Sequence, residues 1–558
     1  MTQSAQQMFD RHRKTLDQAV EAISSRDFWT PYPENMKKYP EDAVKGAPSR
    51  FETLLNQPFT LKAVASTRQV GGEVSPYGFD LGITYDQPDS EALIAAMQKA
   101  MPAWRDAGAE ARVGVCLEIL ARLNAMSPDI AQAVMHTSGQ GPMMAFQAGG
   151  PHAQDRGLEA VTYAWQAMAQ IPATAKWVKP QGKHDPLVLD KRYHIVPRGV
   201  SLVVACSTFP TWNTYPGLFA SLATGNPVIL KPHPGAILPL AMTARVAQDV
   251  LEEAGFDPCL VSLVPDSVEA PMTKTLALDP AVKLIDFTGS NAFGDWLVQN
   301  ATQAQVFAEK AGINTVIIDS VDNLKAVTMN LAFSLSLYSG QMCTTSQAIY
   351  VPKSGIETAE GHLSFDDVTA ALSKAIDKFL SDNDRACAVL GAIQSPATEA
   401  RIDECRGLGE ILLDSEPREH AQFPNARIHT PLLLKVDAEQ KAAYSEERFG
   451  PISFVVATED TRHSIDLARE VILEKGAITL GAYTTDDTVA EQFEQLAMDV
   501  AAPLSLNMDG GVFVNQSAAF SDFHATGGNP AANASLCDQA FVASRFVVVQ
   551  SRRHGQPD

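Results

Sequence analysis

The run PRGVSLVVACSTFPTWNTYPGLFASLATGNPVILKPHP, residues 197–234, contains two strand-sized apolar segments, 201–205 and 228–231. Short β-rich runs of the same kind recur at 261–264, 284–287 and 316–319. Between the second and third lies 239–254, whose apolar spacing predicts a helix, with Gly255 standing where a helix C-cap is expected. Strands that are apolar at nearly every position, alternating with helices, imply a parallel sheet covered on both faces. The fold class read from this region is α/β, of a kind that binds nucleotides at the carboxyl ends of its strands.

Working outward, residues 90–126 and 156–168 carry apolar side chains at three- and four-residue spacing, the pattern of helices with one buried face. The first 60 or so residues mix charge, proline and aromatics, and read as an irregular arm preceded by a helical stretch at 7–23, where no chemistry is expected. Toward the C-terminus a second α/β series spans 366–455, with a helix at 368–380 and strands at 432–436 and 452–456. Two lobes follow from this, with a hairpin candidate at 187–197 and a strand at 545–550 left over as edge elements.

The chain has 558 residues, 45% hydrophobic and 20% charged, enough to bury a large interior and without the bias of a disordered protein. A net charge of -21 opposes binding to nucleic acid or to an anionic membrane, and Arg552-Arg553-His554 is too short a cluster to reverse this. No apolar run approaches the ~20 residues of a membrane helix, and the polar N-terminus does not lead into a signal peptide. The seven cysteines are scattered and lack a C-x-x-C pair, so neither disulfides nor a metal site is expected. Reduced thiols and a cytoplasmic location follow.

The G-x-G-x-x-G fingerprint is absent; Gly139-Gln140-Gly141-Pro142 follows no strand. Thr288-Gly289-Ser290, with Gly294 shortly after, does follow one, and suits either a phosphate at a helix N-terminus or an ordinary turn. Lys231 ends another strand, as a nucleotide contact or a surface lysine. Asn213 lies just after the first strand, Glu309 follows Val306-Phe307-Ala308, and Cys343 ends Gly340-Gln341-Met342-Cys343 after an apolar helix at 326–338. Taken singly these are a turn residue, a surface charge and a buried thiol; together they suggest one reaction.

In this order the motifs resemble those of the aldehyde dehydrogenase superfamily, over roughly residues 85–550. The resemblance is carried by Pro197-Arg198-Gly199-Val200, Trp212-Asn213, Gly225-Asn226-Pro227 through Lys231-Pro232, Phe287-Thr288-Gly289-Ser290, Glu309, Gly340-Gln341-Met342-Cys343 and Glu446-Glu447-Arg448-Phe449-Gly450-Pro451, with Glu309 and Cys343 34 residues apart. It implies a Rossmann-like nucleotide-binding domain (201–311, with 1–182 as arm and remainder), an α/β catalytic domain (312–525) and a small β oligomerisation element (183–200 and 526–558). It further implies that Cys343 attacks an aldehyde, that Asn213 and the Cys343 N–H hold the oxyanion, and that Glu309 activates the water that hydrolyses the thioester. Cofactor contacts are implied for Lys231, His233, Thr288, Gly289, Ser290, Gly294, Glu447 and Phe449, and a homodimer or homotetramer for the assembly. The arm, Lys231-Pro232-His233-Pro234 and the 509–515 run (DGGVFVN) resemble more narrowly the phenylacetic acid degradation branch, whose substrates would be aldehydes of aromatic-acid catabolism, possibly CoA-linked.

Three departures stand out. His233-Pro234 occupies the place where many relatives have a small residue and a glutamate, which removes a carboxylate that would repel a 2′-phosphate and predicts NADP in preference to NAD. Ala311 replaces a glycine beside Glu309, and 521–528 (SDFHATGG) replaces a Pro-Phe-Gly-Gly loop. Competing readings are a CoA-acylating dehydrogenase, a thiol hydrolase and a non-catalytic member of the fold. Thr214, Tyr215, Tyr338, Met342, Thr344, Phe513 and Phe520 are candidates for a substrate entrance or for ordinary packing.

Overall fold

The computed structural model describes residues 2–62 and 66–556, Thr67 by its backbone alone. Its first sheet has five parallel strands in the order Val261–Leu263, Val228–Lys231, Val200–Val204, Val282–Thr288 and Gln305–Glu309. The strands at 200–204 and 228–231 are buried at every position, which is why they lack polar alternation. From the central strand Val200–Val204 the chain first builds outward to one side and then returns to build on the other. The loops after Val204 and after Thr288 therefore diverge, and a crevice opens at the carboxyl edge between them. Lys231, Thr288 and Glu309 are the last residues of their strands and share that edge.

The run at 316–319 forms the strand Thr315–Ile318, which belongs to a second sheet and not to the first. The fifth place in the first sheet goes to Gln305–Glu309, paired with Val282–Thr288 so that Glu309 lies beside Thr288. An apolar run specifies a buried strand but not its neighbour. The second sheet has seven strands: Glu410–Leu413, Leu432–Asp437, Ile452–Thr458, Ala348–Pro352, Thr315–Ile318, Leu480–Tyr483 and Leu504–Leu506, in that spatial order, with only the first antiparallel. A separate antiparallel sheet joins Thr174–Gln181, His184–Pro197 and Phe546–His554.

The N-terminal arm is more ordered than its composition suggests. It contains the helices Gln3–Ser25 and Glu41–Leu54, and the first buries Met8, Phe9, Leu16 and Ile23. It packs on the helix Ala109–Ala125 at Gly114, where a β-carbon would lie 2.6 Å from the Phe9 backbone nitrogen. The helical pattern at 90–126 is broken into Ser90–Asp106 and Ala109–Ala125 by Gly108, which has φ +89°.

Candidate active site

Asn213 occupies the N-cap position of the helix Thr214–Ala223, immediately beyond the loop that leaves the central strand. Cys343 follows the helix Leu324–Ser336 and a tight turn in which Tyr338 and Ser339 have φ of 54° and 48°. Buried Tyr338 holds that turn by donating its hydroxyl to the carbonyls of Ser138 and Thr208. Gly340 packs on the Gly450 carbonyl, 2.3 Å from where a β-carbon would stand. The Asn314 side chain donates to the carbonyls of Cys343 (2.7 Å) and Thr345 (3.0 Å) and so pins the loop to the second sheet.

These elements bring the three sequence-derived residues together. The Asn213 amide donates to Glu309 Oε1 at 3.3 Å. A fourth side chain, His524, stands between Glu309 and Cys343: its Nε2 is 3.2 Å from Glu309 Oε1 and 3.7 Å from Cys343 Sγ. Glu309 Oε2 is buried with no hydrogen-bond partner. Loss of solvent acts to raise the Glu309 pKa, yet His524, Cys343 and Asn213 outweigh it and hold the carboxyl below its ordinary range. Burial and the neighbouring Glu309 push the Cys343 thiol well up. Cys343 Sγ, His524 Nε2 and a Glu309 oxygen lie within 4.8 Å of one another.

His524 was visible in the sequence only as part of the loop that departs from the family pattern. Its backbone pairs with Leu536 through hydrogen bonds of 3.0 and 2.8 Å, and its ring meets the edge of Trp212 at 4.7 Å. A histidine in a loop has no periodic signal, and only the path of 515–536 past Glu309 shows what it touches.

The cofactor candidates lie along the same edge. The helix Asn291–Asn300 begins at Ser290 with no side-chain cap, so its first N–H groups are available to an anion. Gly294 lies where a β-carbon would come within 2.8 Å of the Lys310 side chain. Half-buried Glu447 has its pKa pushed up to about 7 by loss of solvent, with Arg401 opposing. Phe449 accepts a hydrogen bond from Arg401 at its carbonyl. Lys231 is buried and ion-paired with Asp266 Oδ1 at 2.6 Å, while exposed His233 accepts the Gly235 N–H at Nδ1. A carboxylate missing from the sequence beside Lys231 is thus supplied from a distant loop.

The model of the aldehyde dehydrogenase family matches residues 83–528. The chain belongs to the aldehyde dehydrogenase family. The crystal structure of an NAD-dependent aldehyde dehydrogenase from Burkholderia multivorans is 55% identical to it, covers 100% of both chains and superposes with a TM-score of 0.98. A 1-pyrroline-5-carboxylate dehydrogenase from Bacillus subtilis is 22% identical over 69% of this chain and 72% of its own. Aldehyde dehydrogenase LUC3 from a Fusarium species is 23% identical over 73% of this chain and 80% of its own.

In this aldehyde dehydrogenase Cys343, Asn213 and His524 line a cavity of about 530 Å³. Met342, Thr344 and Phe513 line it, as do Trp212, Phe209 and Phe333. Thr214, Tyr215 and Phe520 are instead core residues: the Tyr215 hydroxyl pairs with Thr243, and Phe520 packs edge-on against Trp29 at 5.1 Å. Phe28, Trp29, Thr30 and Glu34 of the N-terminal arm also line the cavity, so the arm, where the sequence predicts no chemistry, forms part of its wall. Fully buried Arg156 reaches the cavity from the helix Pro151–Ala169, bonded to Glu159 (2.8 Å), Ser517 (3.2 Å) and the Asp522 carbonyl (3.1 Å).

Proposed function

We propose that this aldehyde dehydrogenase oxidises its substrate to a carboxylic acid through a thioester on Cys343. The observation that carries the reading is the meeting of Cys343 Sγ, Glu309 and the Asn213 amide beside an aromatic-lined cavity that Cys343 and Asn213 themselves line. When bound, a nicotinamide dinucleotide supplies the hydride acceptor; the uncapped helix after Ser290, Thr288, Gly289, Gly294, Glu447 and Phe449 would hold it. The Cys343 thiolate attacks the aldehyde carbon. The Asn213 amide, turning from Glu309, and the Cys343 N–H hold the oxyanion, each donor worth about 3–4 kcal/mol. Glu309 then takes a proton from water as it attacks the thioester, with Oε2 unpartnered and ready to receive that water. A water-activating carboxylate favours the acid as product over acyl-CoA.

For the cofactor, the Lys231–Asp266 pair supports NAD in preference to NADP, since the ammonium is already neutralised and the carboxylate repels a 2′-phosphate. This reverses the preference expected from His233-Pro234. The narrower motif resemblance supports a substrate from aromatic-acid catabolism in the cytoplasm, and an aromatic wall around Cys343 is compatible with an aldehyde of that size. A homodimer or a tetramer built from dimers, joined through the three-stranded sheet, completes the reading.

The test is NADH formation at 340 nm over a panel of aliphatic, aromatic and CoA-linked aldehydes, with and without free CoA. Cys343→Ala should abolish the signal and the product should be the free acid. Reduction persisting in C343A would refute the covalent route, and acyl-CoA as the main product would replace hydrolysis with acyl transfer. A kcat/KM tenfold in favour of NADP would overturn the cofactor assignment.

A further inference from the structure

We propose that His524 is a further catalytic residue of this site, the base that removes the proton from the Cys343 thiol. The proposal deepens the thioester reading and rests on it. His524 Nε2 is the ring nitrogen directed at both Cys343 Sγ (3.7 Å) and Glu309 Oε1 (3.2 Å). Its other nitrogen, Nδ1, stands 3.5 Å from Ser517 Oγ, which in turn accepts a hydrogen bond from Arg156. With a proton on Nδ1 donated to Ser517, Nε2 can take the thiol proton at 3.7 Å, and only once it carries that proton can it donate to Glu309 Oε1, so the two contacts together favour the protonated ring between thiolate and carboxylate. The ring packs edge-on against Trp212 and is 4% exposed.

The electrostatics explain why such a base is needed. Glu309 is an anion beside the thiol, so forming a thiolate there without a compensating positive charge sets two negative charges side by side in a buried site. When His524 takes the proton, the S–H bond breaks, the electron pair stays on sulfur, and an imidazolium forms between thiolate and carboxylate. The pair of charges becomes an alternating triplet. After the thiolate has added to the aldehyde, the Nε2–H proton is released through Glu309 to solvent, which restores the neutral ring and accounts for the proton liberated in forming the thioester; hydrolysis to the carboxylate releases a second. The charged and titratable groups facing His524 are Cys343 and Glu309 directly, Arg156 through Ser517 with Glu159 paired to it, and Cys206 behind Asn213.

The test is the rate at which iodoacetamide alkylates Cys343, followed by mass spectrometry to separate it from the other six cysteines, between pH 5 and pH 10 with EDTA present. It needs no substrate, so it fails or succeeds independently of the aldehyde assignment, which C343A turnover decides. Wild-type protein should alkylate rapidly near pH 7. His524→Gln should slow this at least tenfold at pH 7 and recover above about pH 9, where hydroxide ionises a thiol unaided. Glu309→Gln, which removes the opposing anion, should not slow it. Added imidazole should restore neutral-pH alkylation to His524→Ala. A wild-type profile that rises only above about pH 9 would overturn the proposal without any variant, as would an H524Q profile superimposing on wild type. Loss of neutral reactivity in E309Q but not in H524Q would transfer the role to Glu309.

Discussion

Glu309 has one oxygen committed to Asn213 and His524 and the other free, and this division of a single carboxylate predicts how its loss will read. Glu309→Gln keeps the contacts to Oε1 but cannot take a proton from water. Stopped-flow absorbance should therefore show a rapid burst of reduced cofactor followed by a steady rate down by about 10²–10⁴; loss of the burst itself would mean that Glu309 acts before the thioester. Glu447 carries a pH dependence of its own. Loss of solvent pushes its pKa up to about 7, and in the cofactor role proposed for it a neutral carboxyl would be the weaker acceptor for ribose hydroxyls. Cofactor affinity should rise with pH through 7 and level off above it, and Glu447→Gln should flatten the profile, as measured by cofactor-induced quenching of tryptophan fluorescence. The residue identities of Asn213, Glu309 and Cys343 were legible from the ordered motifs, whereas His524 and Asp266 were not, because each reaches its partner across a long loop.

At the scale of elements, the C-terminal segment is held to the first sheet by Arg545. The guanidinium is fully buried, bonds both oxygens of Asp286 at 2.5 and 2.7 Å, donates to Ser221, and lies against the rings of Phe307 and Phe541. Upstream of it, Ala532 bridges to Glu309 itself, and the Asn533 side chain accepts the Ala308 N–H at 2.7 Å. Removing one charge of a buried pair leaves the other unpaired, so Arg545→Ala should destabilise the protein by about 3–5 kcal/mol, read from the urea midpoint. An effect below about 1 kcal/mol would show that Asp286 finds another partner. Helices and buried strands were readable from periodicity. The break at Gly108, the assignment of Thr315–Ile318 to the second sheet, and the bridge to Glu309 were not, since period describes what a segment buries and not against what.

For the molecule as a whole, the three-stranded sheet exposes Trp177, Leu187 and Val548 on one face and Val178, Val547 and Val549 on the other, with Val549 50% exposed. Such a surface on a separate sheet is one that a second copy would cover. Val548→Glu should shift the mass measured by light scattering toward the monomer; a wild-type protein that is already monomeric would contradict the assembly proposed above. The N-terminal arm is the other feature that exists only at this scale, since residue 29 reaches a cavity built around residue 343. Trp29→Ala should raise KM about tenfold, the equivalent of about 1.4 kcal/mol of lost contact, while leaving the melting temperature within a few degrees. Unchanged KM across the aldehyde panel would remove the arm from the site.

By itself the sequence determined the α/β class, the family, and the residues whose chemistry is intrinsic to their type: a thiol, a carboxylate and an amide spaced along the chain in a recognisable order. Apolar periodicity and motif order are local properties, and they survive without knowledge of what packs where. Only the tertiary structure decided that His524 stands between Cys343 and Glu309, that Asp266 neutralises Lys231, and that the arm walls the cavity. Charge and proton affinity are set by neighbours within a few ångströms, and in this fold those neighbours are drawn from segments separated by tens to hundreds of residues.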